Sequence, residues 1–149
     1  MIAWNDSLAT GFEDIDLQHK TLIKLINGLE RAVQEGTAQN RQQVFDLLLF
    51  LGGYAKNHLA REERCMARTK CQAAERNKAA HEGFLRDFAQ LEERFSNEGS
   101  SSELLMAIYH MASQWITGHI CTVDIQLRSF APQPNTSARS PENPSQPPR

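Results

Sequence analysis

The sequence predicts an all-α protein: an up-down-up-down antiparallel four-helix bundle with an N-terminal arm and a disordered C-terminal tail. Two observations carry this. All six prolines lie between Pro132 and Pro148, so residues 1–130 are free of a residue that costs about 3 kcal/mol or more inside a helix. Across those same residues, apolar side chains recur at steps of three and four in four long stretches joined by short connections. Residues 1–130 therefore form one bundle, and residues 131–149 form a Pro/Ser-rich tail or linker.

Residues 1–16 read as an arm, pinned to the bundle by Trp4 and Phe12. The first helix runs from about Leu17 to Glu35, with Leu22, Ile23, Ile26, Leu29 and Val33 inward and Gly36 as its stop. The second runs from about Arg41 to Ala67 on the stripe Val44, Leu48, Leu51, Ala55, His58, Glu62, Cys65 and Met66. Gly52 and Gly53 weaken it and invite close approach by another backbone. The third runs from about Ala73 to Asn97 on Ala74, Phe84, Phe88, Leu91 and Phe95, with Gly99 beyond its end. The fourth runs from about Ser101 to Phe130, capped by Ser101 or Ser102, on Leu104, Leu105, Ile108, Ala112, Trp115, Val123 and Leu127. The tail is rich in Pro, Ser, Gln and Asn and almost free of apolar residues, a composition that cannot bury a core.

Composition removes several function classes. The formal net charge is −2 with both signs scattered, so no basic block recruits nucleic acid or an anionic membrane. No apolar run reaches the roughly 18 residues of a membrane span, and the first residues lack the charged and apolar regions of a signal peptide. Cys65, Cys71 and Cys121 cannot all pair within one chain, and their spacing fits neither a disulfide framework nor a zinc ribbon. A reducing cytoplasm is the expected compartment.

The informative residues are polar ones on apolar stripes. The first helix presents His19, the second His58 and Glu62, the third Asn77 and His81, and the fourth His119 followed by Asp124. A single core-facing histidine is most often a hydrogen-bonded structural residue. Asp124, five residues after His119, alone reads as surface. Together, four histidines and two carboxylates from four helices converge on one interior, where uncompensated carboxylates cost several kcal/mol each. His110 serves as a control, lying roughly opposite the fourth stripe and reading as surface.

A cation is the simplest partner for such a set. Imidazole with carboxylate suits zinc, iron, manganese or copper. Two ions bridged by Glu62 and Asp124, with histidines at the ends, use six side chains better than one ion does, and paired iron is the first choice. The glutamate-rich Glu-x-x-His pattern of ferritin-like proteins is absent.

The chain resembles a bacterial hemerythrin over about residues 1–130. The resemblance rests on Ile15-Asp16-Leu17-Gln18-His19, on Tyr54-Ala55-Lys56-Asn57-His58-Leu59-Ala60-Arg61-Glu62-Glu63, on His81-Glu82-Gly83-Phe84, and on Trp115-Ile116-Thr117-Gly118-His119-Ile120-Cys121-Thr122-Val123-Asp124. Trp4 also fits. The resemblance implies a non-haem site of two iron ions with an oxo or hydroxo bridge. His19 and His58 would hold one iron, Glu62 and Asp124 would bridge, and His81 and His119 would hold the other. It also implies a third histidine on that second iron, four residues before His81, where this chain has Asn77. Leu59, where the family often has an aromatic, is a smaller departure. Asn77 would ligate weakly through its amide oxygen, hold a water at the position, or stand aside. The water-mediated role is the expected one, and each leaves the second iron more open.

The implied ligand is oxygen or a related small molecule: peroxide, nitric oxide or a small anion. Ile23, Phe84, Trp115 and Ile116 are the expected apolar wall of its pocket, although ordinary packing alone would place them there. Carriage or storage competes with oxygen or redox sensing, which would need a signalling partner. A di-iron enzyme acting on peroxide or nitric oxide, and an interaction bundle with zinc or no metal, are the alternatives from other classes. No acid or base beyond the ligands marks a catalytic residue.

Overall fold

The computed structural model describes residues 1–132. The predicted tail, apart from Ala131 and Pro132, lies outside the described residues. Four helices make the bundle: α1 Glu13–Gln34, α2 Arg41–Thr69, α3 Ala74–Glu98 and α4 Ser102–Thr122. Each packs on the next and α1 closes the ring on α4, so neighbours alternate in direction. No described helix is long and apolar enough to cross a membrane.

The helix ends follow local chemistry. Asn40 caps α2, its side-chain oxygen accepting from the Gln43 N–H at 3.1 Å. Ser101 caps α4 through the Leu104 N–H at 3.1 Å. Gly36 opens the first connection at φ 72°, and Lys70 closes α2 at φ 54°.

Two boundaries differ from expectation. Helix α1 begins at Glu13 rather than near Leu17. Its first turn carries Glu13, Asp14 and Asp16, which favour the positive end of the helix dipole. Asp16 also reaches back, accepting from the Thr10 N–H at 2.7 Å, the Thr10 hydroxyl at 2.8 Å and the Gly11 N–H at 3.2 Å. The second difference is larger. Helix α4 stops at Thr122, and after Val123 the chain tightens into a 3₁₀ segment, Asp124–Phe130.

The predicted stripes are buried, with Val33, Ala74, Leu91 and Trp115 only half so. The core falls into two apolar clusters. The larger fills most of the bundle, from Leu22 and Leu29 through Leu51 and Phe88 to Ile108 and Ile120. The smaller, at the end where α1 begins and α2 ends, joins Ile15, Cys65, Met66, Cys71, Val123 and Leu127. Trp4 packs on the first and Phe12 on the second, as the arm reading expected. Gly52 admits the Phe88 ring, which would stand 2.9 Å from an added Cβ; the close neighbour is thus a side chain rather than a backbone.

Candidate metal centre

Each helix delivers its polar residue because the stripe that carries it is otherwise apolar and must face inward. His19 sits one turn before Leu22 and Ile23 on α1. His58 and Glu62 continue the α2 stripe, Asn77 and His81 occupy successive turns of α3, and His119 lies in the last turn of α4. All six predicted ligands, and Asn77 with them, are between 0% and 6% exposed. His110 is exposed, as its phase required.

Asp124 reaches the same interior by a different route. On a continued α-helix it would sit 140° from His119. The break at Val123 and the tighter 3₁₀ turn re-aim it, and its side chain is 1% exposed.

The donor atoms fall into two sets that share Glu62. Those of His19, His58 and Glu62 lie within 4.8 Å of one another, and so do those of Glu62, His81, His119 and Asp124. Glu62 is split between them: its Oε1 is 3.4 Å from His19 Nε2 and its Oε2 is 3.2 Å from His81 Nε2. Asp124 is split likewise, with Oδ2 3.4 Å from His19 Nε2 and Oδ1 3.1 Å from His119 Nε2. His81 Nε2 and His119 Nε2 are 3.2 Å apart.

Several buried polar atoms of the centre are left unsatisfied by the protein. Both Glu62 oxygens, Asp124 Oδ1, both His19 nitrogens and Asn77 Nδ2 are buried without a hydrogen-bond partner among the described residues, the ion-pair contacts being too long or misaligned. Each such orphan costs about 1–3 kcal/mol, and more where charged. A cation between the two sets would answer the carboxylates and histidines at once, so the donor set fits a metal pair.

The electrostatics point the same way. Burial opposes charge on His19, yet Asp124 and Glu62 outweigh it and push the imidazole up to about 9. Burial likewise opposes charge on His81, and Glu62 and Glu63 raise it. Burial also disfavours the Glu62 carboxylate, but the contacts with His19 and His81 hold it below the usual range. His58 faces fewer carboxylate atoms, and burial takes it down to about 4. The centre attracts positive charge.

Outer contacts fix the rings. His58 Nδ1 is 3.0 Å from Gln18 Oε1, and His81 Nδ1 is 2.9 Å from Glu63 Oε1. With the N–H on Nδ1, each ring donates to its partner and turns a free Nε2 inward. Neither Gln18 nor Glu63 stood out in the sequence. Each adjoins a predicted ligand, and each bonds a histidine on the next helix, so one-helix periodicity gives no sign of it. Trp115 stacks on His119 at 4.4 Å between centroids and on Phe84 at 4.3 Å. Trp115, Phe84 and Ile116 line a small apolar void of about 10 Å³. Ile23, the fourth expected wall residue, is buried in the same core but does not line it.

Asn77 lies inside the centre. Its Oδ1 is 2.7 Å from His119 Nε2, among the inward-facing donor atoms of the second set. Cys65 and Cys71 are buried thiols of the smaller apolar cluster, outside both sets.

Comparison with known proteins agrees with this geometry. Residues 10–127 match the family model described as the hemerythrin HHE cation binding domain. The chain is 31% identical over 120 residues to a bacteriohemerythrin of Pseudomonas aeruginosa (strain LESB58), covering 80% of this chain and 74% of that protein. It is 31% identical over 121 residues to a bacteriohemerythrin of Stenotrophomonas maltophilia (strain R551-3), with the same coverage. Hemerythrin subunit alpha of Lingula anatina is 26% identical over 126 residues, 85% of this chain and 92% of that one. The matched span contains every residue of the buried polar centre, and the chain belongs to the hemerythrin family.

Proposed function

We propose that the chain is a non-haem di-iron protein that binds oxygen or a related small ligand, and that it acts as a ligand or redox sensor rather than a simple reversible carrier. In this reading His19 and His58 hold one ion, His81 and His119 hold the other, and Glu62 and Asp124 bridge them. The supporting observation is the division of each carboxylate: one oxygen faces His19 and the other faces His81 or His119. A side chain serving one ion, or one structural salt bridge, has no reason to divide so.

When bound, the iron pair supplies the electrons and the open position that a small ligand needs. The protein's residues do the rest. Gln18 and Glu63 hold His58 and His81 in the tautomer that turns Nε2 inward. Trp115, Phe84 and Ile116 keep an apolar surface beside the His81–His119 half and limit water there. Asn77 replaces an imidazole with a neutral amide, a weaker donor, which leaves that half easier to enter and to leave. That asymmetry favours sensing.

Anaerobic titration of the metal-free protein with ferrous ion, followed by metal analysis and rapid mixing with oxygen, tests the proposal. Two irons per chain and a short-lived oxygenated species are expected. Failure to take up iron, with unchanged thermal stability on adding ferrous ion, overturns the di-iron reading. A long-lived, fully reversible oxygenated form overturns the sensing role. The Asn77→His variant should hold the second iron more tightly and release it more slowly to a chelator.

A further inference from the structure

Resting on that reading, we propose that Asn77 makes the His81–His119 half of the centre an anion-selective subsite, its side-chain N–H donating to a small anion seated there. Three observations lead to this. Asn77 is fully buried, so bulk water does not serve its side chain. Its Oδ1 lies 2.7 Å from His119 Nε2. Its Nδ2 has no acceptor among the described residues.

The amide cannot profitably turn over. Reversed, it would aim an N–H at the point where the inward nitrogens of His81 and His119 and the oxygens of Glu62 and Asp124 converge. A cation there repels that N–H and attracts Oδ1. The oxygen therefore stays toward the centre, and Nδ2, on the same carbon, is left beside it with its N–H unspent. An imidazole at this position would spend its inward nitrogen on the ion and leave no donor facing a neighbouring ligand. The amide supplies that donor.

Charge selects the ligand class. Glu62 and Asp124, shared between the halves, and Glu63 behind His81 together cancel only three of the four charges of two divalent ions. The remaining side chains of the second half, His81, His119 and Asn77, are neutral when they face a cation. The subsite therefore keeps positive charge and gains a donor, which favours an anion that accepts a hydrogen bond over a neutral diatomic molecule.

Azide is the probe for the iron-loaded, oxidised protein, and nitric oxide is the neutral comparison for the reduced protein. Asn77→Leu removes the donor at similar volume. At equal iron content it should lower the ratio of azide to nitric oxide affinity about tenfold or more, the scale of one lost hydrogen bond to a charged group. The vibrational band of bound azide in the wild type should shift in deuterium oxide and lose that shift in the variant. Should Asn77→Leu load iron poorly, the isotope shift in the wild type decides by itself. An unchanged ratio at equal iron content, or a wild-type band indifferent to deuterium, overturns the proposal. A wild type that loads no iron instead overturns the di-iron reading beneath it, before azide is added.

Discussion

At the residue scale, the two halves of the centre differ in what stands behind their histidines. His58 is backed by the neutral Gln18, and His81 by the carboxylate of Glu63. A carboxylate behind an imidazole makes its inward nitrogen a stronger donor, and losing such a support typically costs ten- to a hundredfold in metal affinity. Glu63→Ala should therefore speed chelator removal of the ion on the His81–His119 half by about ten- to a hundredfold. Gln18→Ala should act on the other half, and less strongly. Two-phase iron release monitored by absorbance separates them, and equal acceleration of both phases by either variant would refute the pairing. Of the proposed ligands, the four histidines and Glu62 were legible because each breaks an apolar stripe. Their supports were not, because Gln18 and Glu63 act across helix boundaries that phase within one helix does not describe.

At the element scale, α2 carries two adjacent glycines with opposite roles. A Cβ on Gly52 would meet Phe88 Cε1 at 2.9 Å and Glu92 Oε1 at 3.2 Å, and Phe88 is buried. A Cβ on Gly53 would meet nothing within 4 Å. Gly52→Ala should destabilise the fold by about 1–3 kcal/mol through overpacking, partly offset by better helix propensity. Gly53→Ala should stabilise it by up to about 1 kcal/mol. Urea unfolding of the metal-free variants should show the opposite signs; matching signs would mean that the Phe88 ring yields. The sequence marked the glycine pair as a weak point but could not say which of the two is filled from outside, since that depends on α3. The end of α4 is a second case. The stripe predicts an unbroken helix to Phe130, and only the break at Val123 turns Asp124 inward. Helical phase marked Asp124 as off the stripe, and the change of helix type corrects it.

At the scale of the whole molecule, the polar centre lies where the four helices pass from the larger apolar cluster to the smaller. Folding without metal must bury Glu62 and Asp124 with orphaned oxygens. Binding free energy at this layer is therefore folding free energy. Free ferrous ion at a hundred times its dissociation constant should add about 2.7 kcal/mol. That corresponds to a rise in melting temperature on the order of 10 °C for a domain of this size. Calorimetry with and without ion under anaerobic conditions measures the rise. A melting temperature that ignores the ion would separate the centre from the stability of the fold. The fold class was legible from periodicity and proline placement, whereas the division of the core into two clusters depends on which side chains touch and appears only in three dimensions.

Asp124 stands outside all four α-helices, on the short 3₁₀ segment that follows them. A metal held by Asp124 therefore fastens the end of the bundle to its middle and sets how often that end opens. In the metal-free protein the amide protons of Val123–Phe130 should trade with solvent early and a protease should cut near Arg128. Filling the centre should slow both clocks together, while the amides of the upper α4 turns around Ile108 keep their pace.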